Sequence, residues 1–207
     1  MRILFFGDSI TYSGRLFEDD RVLGSGYPRF VEATLGFEQP NQHTFINRGI
    51  SGNRIVDLYA RIKCDVLNLK PDVMSILIGV NDVWHELLER PNGVTPEKFF
   101  KVYSMLIEEI KAELPDIKIM IMEPFCLKAP ATEGNWEYFS TEVPKRAEMA
   151  KKIAEKYNLT YIPLQEKFDK LCELAPATYW LEDGVHPTAQ GHKFLEEEWL
   201  QAYKKLF

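Results

Sequence analysis

The chain has 207 residues, a formal net charge of −6, 45% hydrophobic and 27% charged residues. That composition is ordinary for a soluble globular protein, and the length suits one domain spanning residues 1–207 that buries roughly 70% of its unfolded surface without disulfides or a structural metal. The acidic balance, with no Lys/Arg run, argues against nucleic acid as a partner, and no stretch approaches the roughly 20 apolar residues of a membrane span.

Taken in chain order, short apolar runs alternate with longer amphipathic segments. Ile3–Phe6 is the first run, too short for the roughly 7–15-residue core of a signal peptide. Thr44–Ile46, Val73–Ile78, Ile117–Met122 and Thr160–Ile162 follow as strands. Val73–Ile78 and Ile119–Met122 are almost continuously apolar, as strands covered on both faces are. Helical patterns occupy Tyr27–Leu35, Ile55–Leu69, Pro96–Leu114, Thr141–Tyr157 and Thr188–Leu206. Thr95 before Pro96 and Thr188 after Pro187 are helix-start signals. Strand–helix alternation predicts a three-layer α/β/α sandwich around a five-stranded, mostly parallel sheet, in the flavodoxin-like order 2-1-3-4-5. The irregular stretch Phe125–Ser140 is expected to form a lid or rim loop.

Cys64, Cys126 and Cys172 are an odd number of thiols without metal-ligand spacing. Reduced, mostly buried cysteines in a cytoplasmic protein fit that usage.

Polar clusters stand where three strands end: "GDSIT" from Gly7, "NRGISGN" over Asn47–Asn53 and "IGVNDVW" over Ile78–Trp84. A fourth, "LEDGVHPTAQGH" over Leu181–His192, precedes the last helix and joins them if that helix packs back on strand one. Together they hold a hydroxyl, a carboxylate and an imidazole, the ingredients of a serine hydrolase. A serine hydroxyl needs a base near neutral pH, and histidine titrates in the useful range. The histidine in turn needs an acceptor on its other ring nitrogen. Asp183 and His186, three apart around Gly184, can meet across a turn. The amides of Ser9 and Gly52 and the Asn81 side chain are candidate donors to an oxyanion.

The four blocks, in this order and over Met1 to about Leu206, resemble the SGNH (GDSL-type) hydrolase family, with Gly-Asp-Ser-Ile in place of Gly-Asp-Ser-Leu. The resemblance implies Ser9 as nucleophile, Asp183 and His186 as its triad partners, and Ser9, Gly52 and Asn81 as the oxyanion hole. Within the family, "RVLGSGY", "NRGISGN", "SILIGVNDVW" and "DGVHPT" look most like bacterial carbohydrate acetylesterases of the xylan-deacetylating kind. Expected, therefore, is a serine esterase acting on O-acetyl or other short acyl esters, such as acetylated xylo-oligosaccharides, without metal or other cofactor. Homo-oligomers are usual among such relatives, and one is expected here. Lysophospholipase or acyl-thioesterase activity within the same family is one alternative; a non-catalytic glycan-binding module on the same scaffold is another.

Several residues carry two readings. Asp8 has the place of a phosphorylated strand-one aspartate, but such sites want a second carboxylate where this chain has Ile10; Asp8 is expected to brace its loop by hydrogen bonds and to border the substrate. Trp84 and Trp180 are core residues or sugar-stacking platforms. Ser51 misses the Gly-x-Ser-x-Gly spacing of a nucleophile elbow and reads as a loop residue. Gly52 is expected where backbone must approach closely, and Gly49 where a turn needs it. Asp82 is the expected cap of the Val83–Leu88 turn. His85 and His192 are expected to be solvent-exposed or capping, and His43 carries no signal.

Overall fold

The computed structural model describes residues 1–207. The strands are β1 (Arg2–Gly7), β2 (Thr44–Gly49), β3 (Val73–Leu77), β4 (Lys118–Met122) and β5 (Thr160–Ile162). All pair in parallel, in the order β2-β1-β3-β4-β5, as expected from the alternation of apolar runs and helices. Side chains along β1 point alternately to opposite faces. Ile3 and Phe5 join one core, Leu4 and Phe6 the other.

The helices are α1 (Ser9–Tyr12), α2 (Tyr27–Glu38), α3 (Ile55–Ala60), α4 (Val80–Trp84), α5 (Pro96–Glu113), α6 (Trp136–Tyr157), α7 (Gln165–Leu171), α8 (Ala177–Trp180) and α9 (Ala189–Tyr203). Helices α2 and α9 cover the Ile3/Phe5 face, where Trp199 lies against Phe5 with ring centroids 5.5 Å apart. Helices α3, α5 and α6 cover the other face, with Leu58, Leu106 and Ile153 fully buried. No helix is long and apolar enough to cross a membrane.

Three local expectations give way to tertiary contacts. The continuous helix over Ile55–Leu69 divides at Arg61 into α3 and a π-helical turn, Lys63–Leu67. Arg61 there sends its guanidinium to Gly7 O (3.0 Å) and Arg48 O (2.8 Å), under the end of β1. Helix α6 starts at Trp136, five residues before the expected Thr141, which moves Pro144 from the first turn to the helix interior; burial of Phe139 and Val143 offsets the backbone bond that a proline removes. The stretch Phe125–Ser140, expected as a lid or rim loop, packs down in its first part and is helical from Trp136. Phe125, Cys126, Leu127 and Thr132 are buried, and the Thr132 hydroxyl bonds Leu127 O at 2.5 Å.

Candidate active site

The carboxyl ends of β1, β2 and β3 bring the first three polar blocks to one edge of the sheet. Asp8 opens α1 by accepting the Ile10 amide on Oδ1 (3.0 Å), which sets Ser9 as the first helical residue. An amide at that position has no partner inside its own helix. Asn47 ties β2 to α1: its Nδ2 donates to Thr11 O (2.6 Å) and Leu23 O (2.8 Å), and its Oδ1 accepts from Gly49 N (2.8 Å).

The two glycines exchange the roles expected of them. Gly49 is the close approach: a Cβ there would stand 2.2 Å from Tyr12 N and 2.7 Å from Thr11 C. Gly52 supplies the turn, with φ of +78°, and a Cβ there would meet no atom closer than 3.9 Å. Sequence spacing could not separate the two, because the clash at Gly49 comes from α1.

Asn81 sits in α4, nearly buried, and donates one Nδ2 hydrogen to Asn53 O (3.1 Å), leaving the other for the cavity. Asp82 does not cap its own turn. Both of its oxygens accept the Ile55 amide (3.1 and 3.3 Å), so it closes the start of α3 and locks the Gly52 loop to α4. Burial pushes its carboxyl up to about 8, against the pull of the Ile55 N–H and Arg146.

The fourth block arrives as expected. Leu181 and Pro187 form an antiparallel bridge that closes the turn around Gly184. Within it, Asp183 Oδ1 accepts from the amides of Val185 (2.9 Å) and His186 (2.8 Å), while Oδ2 lies 2.7 Å from His186 Nδ1. The stretch after β4 braces this turn, with Leu127 N donating to Gly184 O (2.8 Å) and Ala131 N to Asp183 O (2.9 Å). His186 Nε2 is 2.9 Å from Ser9 Oγ. An ionised Asp183 accepts only, so Nδ1 carries the ring hydrogen and Nε2 is free to accept from the serine hydroxyl.

Electrostatics support that tautomer. Burial works against ionised Asp183, but the His186 ring and the two amides outweigh it and hold the carboxyl down at about 2. The Asp183 hydrogen bond raises His186 above its usual range, against partial burial and with a further contribution from Asp8. The arrangement can deprotonate Ser9 and hold the resulting imidazolium.

A cavity of about 290 Å³ lies over the hydroxyl, lined by Ser9, Ser51, Gly52, Asn81, Trp84, His85, Leu88 and His186. Residues 5–194 match the GDSL-like lipase/acylhydrolase family. The chain belongs to that family. Among GDSL-like proteins it is 33% identical to an acetylxylan esterase of Geobacillus stearothermophilus over 210 residues, 97% of this chain and 92% of the relative. The crystal structure of that esterase, Axe2, superposes with a TM-score of 0.84 at 31% identity, covering 97% of this chain and 93% of Axe2. The structure of a protein described as a GDSL-like lipase, from Parabacteroides merdae, gives a TM-score of 0.92 at 37% identity, covering 97% and 94%. The protein is accordingly a carboxylic ester hydrolase, similar along nearly its whole length to an acetylxylan esterase.

Against this GDSL-like frame, two expected substrate contacts move. Asp8 is 1% exposed and sits beneath the cavity rather than on its wall, so it braces α1 and touches no substrate. Its Oδ2 is buried without a partner, and burial pushes its carboxyl up to about 7. Trp180 faces a separate groove with Leu171, Tyr179 and Phe194, and its indole N–H is taken by Leu171 O (3.0 Å). The bridge at Leu181 turns the chain between Trp180 and Asp183, which closeness in sequence conceals. Trp84 does line the cavity, its ring centroid 6.2 Å from that of His186. His192, expected to be solvent-exposed or capping, is buried and accepts the amide of Tyr27, the first residue of α2, on Nδ1 (3.1 Å). His85 and Ser51 are cavity residues that sequence reasoning passed over; the only signal was their place beside Asn81 and Gly52. No group of three or more His, Cys, Asp and Glu side chains is arranged to hold a metal ion.

Proposed function

We propose that this esterase removes O-acetyl groups from carbohydrates such as acetylated xylo-oligosaccharides, through an acyl-enzyme formed on Ser9. The observation that carries the mechanism is the relay of 2.9 Å and 2.7 Å from Ser9 Oγ through His186 to Asp183, opening into a small cavity. His186 Nε2 takes the hydroxyl proton as Ser9 Oγ attacks the ester carbonyl, and Asp183 holds the imidazolium. The oxyanion accepts hydrogen bonds from the Ser9 and Gly52 amides and from Asn81 Nδ2. His186 gives its proton to the departing alcohol. It then deprotonates a water that attacks the acetyl carbon, and acetate leaves as Ser9 regains its hydrogen.

Supporting a short acyl group, the cavity of about 290 Å³ lies at the lower end of the roughly 300–1,000 Å³ typical of small-molecule sites. Supporting a carbohydrate is the 33% identity to an acetylxylan esterase. Ser9→Ala should lower turnover of p-nitrophenyl acetate and acetylated xylo-oligosaccharides by a factor on the order of 10³–10⁶. Near-normal turnover by that variant would end the mechanism. Rates rising steadily with acyl length across a p-nitrophenyl ester series would instead favour a lysophospholipase or thioesterase.

A further inference from the structure

The chain has four histidines. Three have rings engaged by the protein: His43 with Gln39, His186 with Ser9 and Asp183, and His192 with the Tyr27 amide. The fourth, His85, forms no side-chain hydrogen bond, yet it is half-buried and lines the same cavity as Ser9. Its backbone is fixed at the end of α4, where His85 O accepts the Asn92 amide (2.9 Å) and Glu86 of the following turn accepts from Gly93 N (3.0 Å). The ring stands over Gly52, its Nε2 3.9 Å from where a Cβ of that residue would be. The nearby carboxylate of Asp57 is no partner, being gripped by Arg54 Nε (2.9 Å) and Nη2 (3.0 Å). Burial, followed by the Arg54 charge, lowers the His85 pKa despite Asp57, so near neutral pH the ring offers one N–H donor and one nitrogen acceptor.

A positioned imidazole with both nitrogens unclaimed at a cavity wall is arranged to bind a ligand hydroxyl. The wall has two characters: Trp84 and Leu88 are apolar, whereas Ser51 and His85 are polar. An acetyl methyl gains nothing from the polar side. A sugar that carries an ester on one ring carbon commonly carries a free hydroxyl on the next. We infer that His85 binds the alcohol half of the ester, hydrogen-bonding a sugar hydroxyl next to the acetylated carbon, and so selects saccharide esters over simple ones. The inference rests on the carbohydrate reading above and adds the residue that enforces it.

The test compares wild type, His85→Leu and His85→Gln on an acetylated xylo-oligosaccharide, p-nitrophenyl acetate and p-nitrophenyl butyrate, with thermal unfolding as a check on folding. His85→Leu should raise KM for the saccharide and lower the saccharide-to-aryl ratio of kcat/KM roughly tenfold, the effect of one lost hydrogen bond. His85→Gln, which keeps a donor and an acceptor, should recover part of that ratio. Equal losses on saccharide and aryl acetate would overturn the inference. So would a selective gain on butyrate, which would make His85 a wall of the acyl site. A wild type that hydrolyses aryl acetate but ignores the saccharide would defeat the carbohydrate reading and this inference with it, an outcome distinct from the other two.

Discussion

Two regions of the molecule hold the same pair of residue types in opposite states. In the turn over Leu181–Pro187, Asp183 and His186 have side chains 30% and 41% exposed and bond each other at 2.7 Å. Behind the nucleophile, Asp8 and His192 are 1% and 6% exposed and neither has an oppositely charged partner within salt-bridge distance. The turn stabilises charge: its carboxyl is held down at about 2 and its imidazole is raised. The buried layer disfavours charge: burial pushes Asp8 up to about 7 and His192 down to about 4. Desolvation favours the neutral form of acid and base alike, and only a close partner reverses it. The chemistry of an Asp–His pair thus depends on hydrogen bonds to the charged form, not on residue type.

The largest break in that comparison comes from Asp183→Asn. The amide cannot accept the Nδ1 hydrogen as a carboxylate does, so tautomer and imidazolium both lose support. A kcat loss of about 10³–10⁴ is expected. The acid limb of kcat/KM should also move to lower pH, because the bond that raises His186 is gone. Measurement of pH–rate profiles with p-nitrophenyl acetate checks both. A loss below tenfold would mean the turn is not the charged centre proposed for it.

Asp8→Asn sharpens the comparison from the other side, with an intermediate effect. Asparagine keeps the acceptor for the Ile10 amide and removes an ionisable group. Because the folded pKa of Asp8 lies above the usual 3.8, the folded state binds more protons than the unfolded one between about pH 4 and 7. Wild-type stability therefore falls as pH rises through that window. The variant lacks this component, so its stability relative to wild type should increase between pH 4 and 7 and level off above. Activity should drop only a few-fold, with the acid limb shifted down because Asp8 contributes to raising His186. Urea unfolding at a series of pH values measures the first effect; an unchanged stability difference across the window would remove Asp8 from the buried, proton-holding class.

What was legible in the sequence divides along the same line. The five strands and the first three polar blocks follow from local pattern, because a buried parallel strand is apolar on both faces and its first polar residues mark the sheet edge; the strand order is the one that strand–helix alternation favours. Ser9 meets Asp183 and His186 because the last helix, α9, packs back on β1, and their roles came with the family resemblance rather than with the topology. Burial of polar groups was not legible, since its causes are distant in sequence. His192 is buried because Tyr27, 165 positions away, offers an amide. Asp82 caps α3 rather than its own turn because Ile55 lies opposite. Trp180 leaves the site because the bridge between Leu181 and Pro187 reverses the chain. The short helices α7 and α8 have too few turns to leave a periodic pattern.

The smallest effect on catalysis is expected at His192, and it isolates burial from chemistry. Nδ1 accepts the Tyr27 amide (3.1 Å), and Nε2 faces Ser13 Oγ at 3.4 Å. Desolvation by burial, with a smaller contribution from the His186 charge, keeps the ring neutral down to about pH 4. His192→Ala leaves that amide without an acceptor and should cost about 1–3 kcal/mol of stability near neutral pH, with kcat/KM changed less than threefold. The folded pKa lies below the usual 6.5, so the unfolded chain binds the extra proton between about pH 6.5 and 4. Wild type loses this contribution as pH falls through that window, and the stability gap to the variant should narrow in step. A gap that stays constant to pH 4 would mean that His192 is charged in the folded protein, and the contrast between the two regions would collapse.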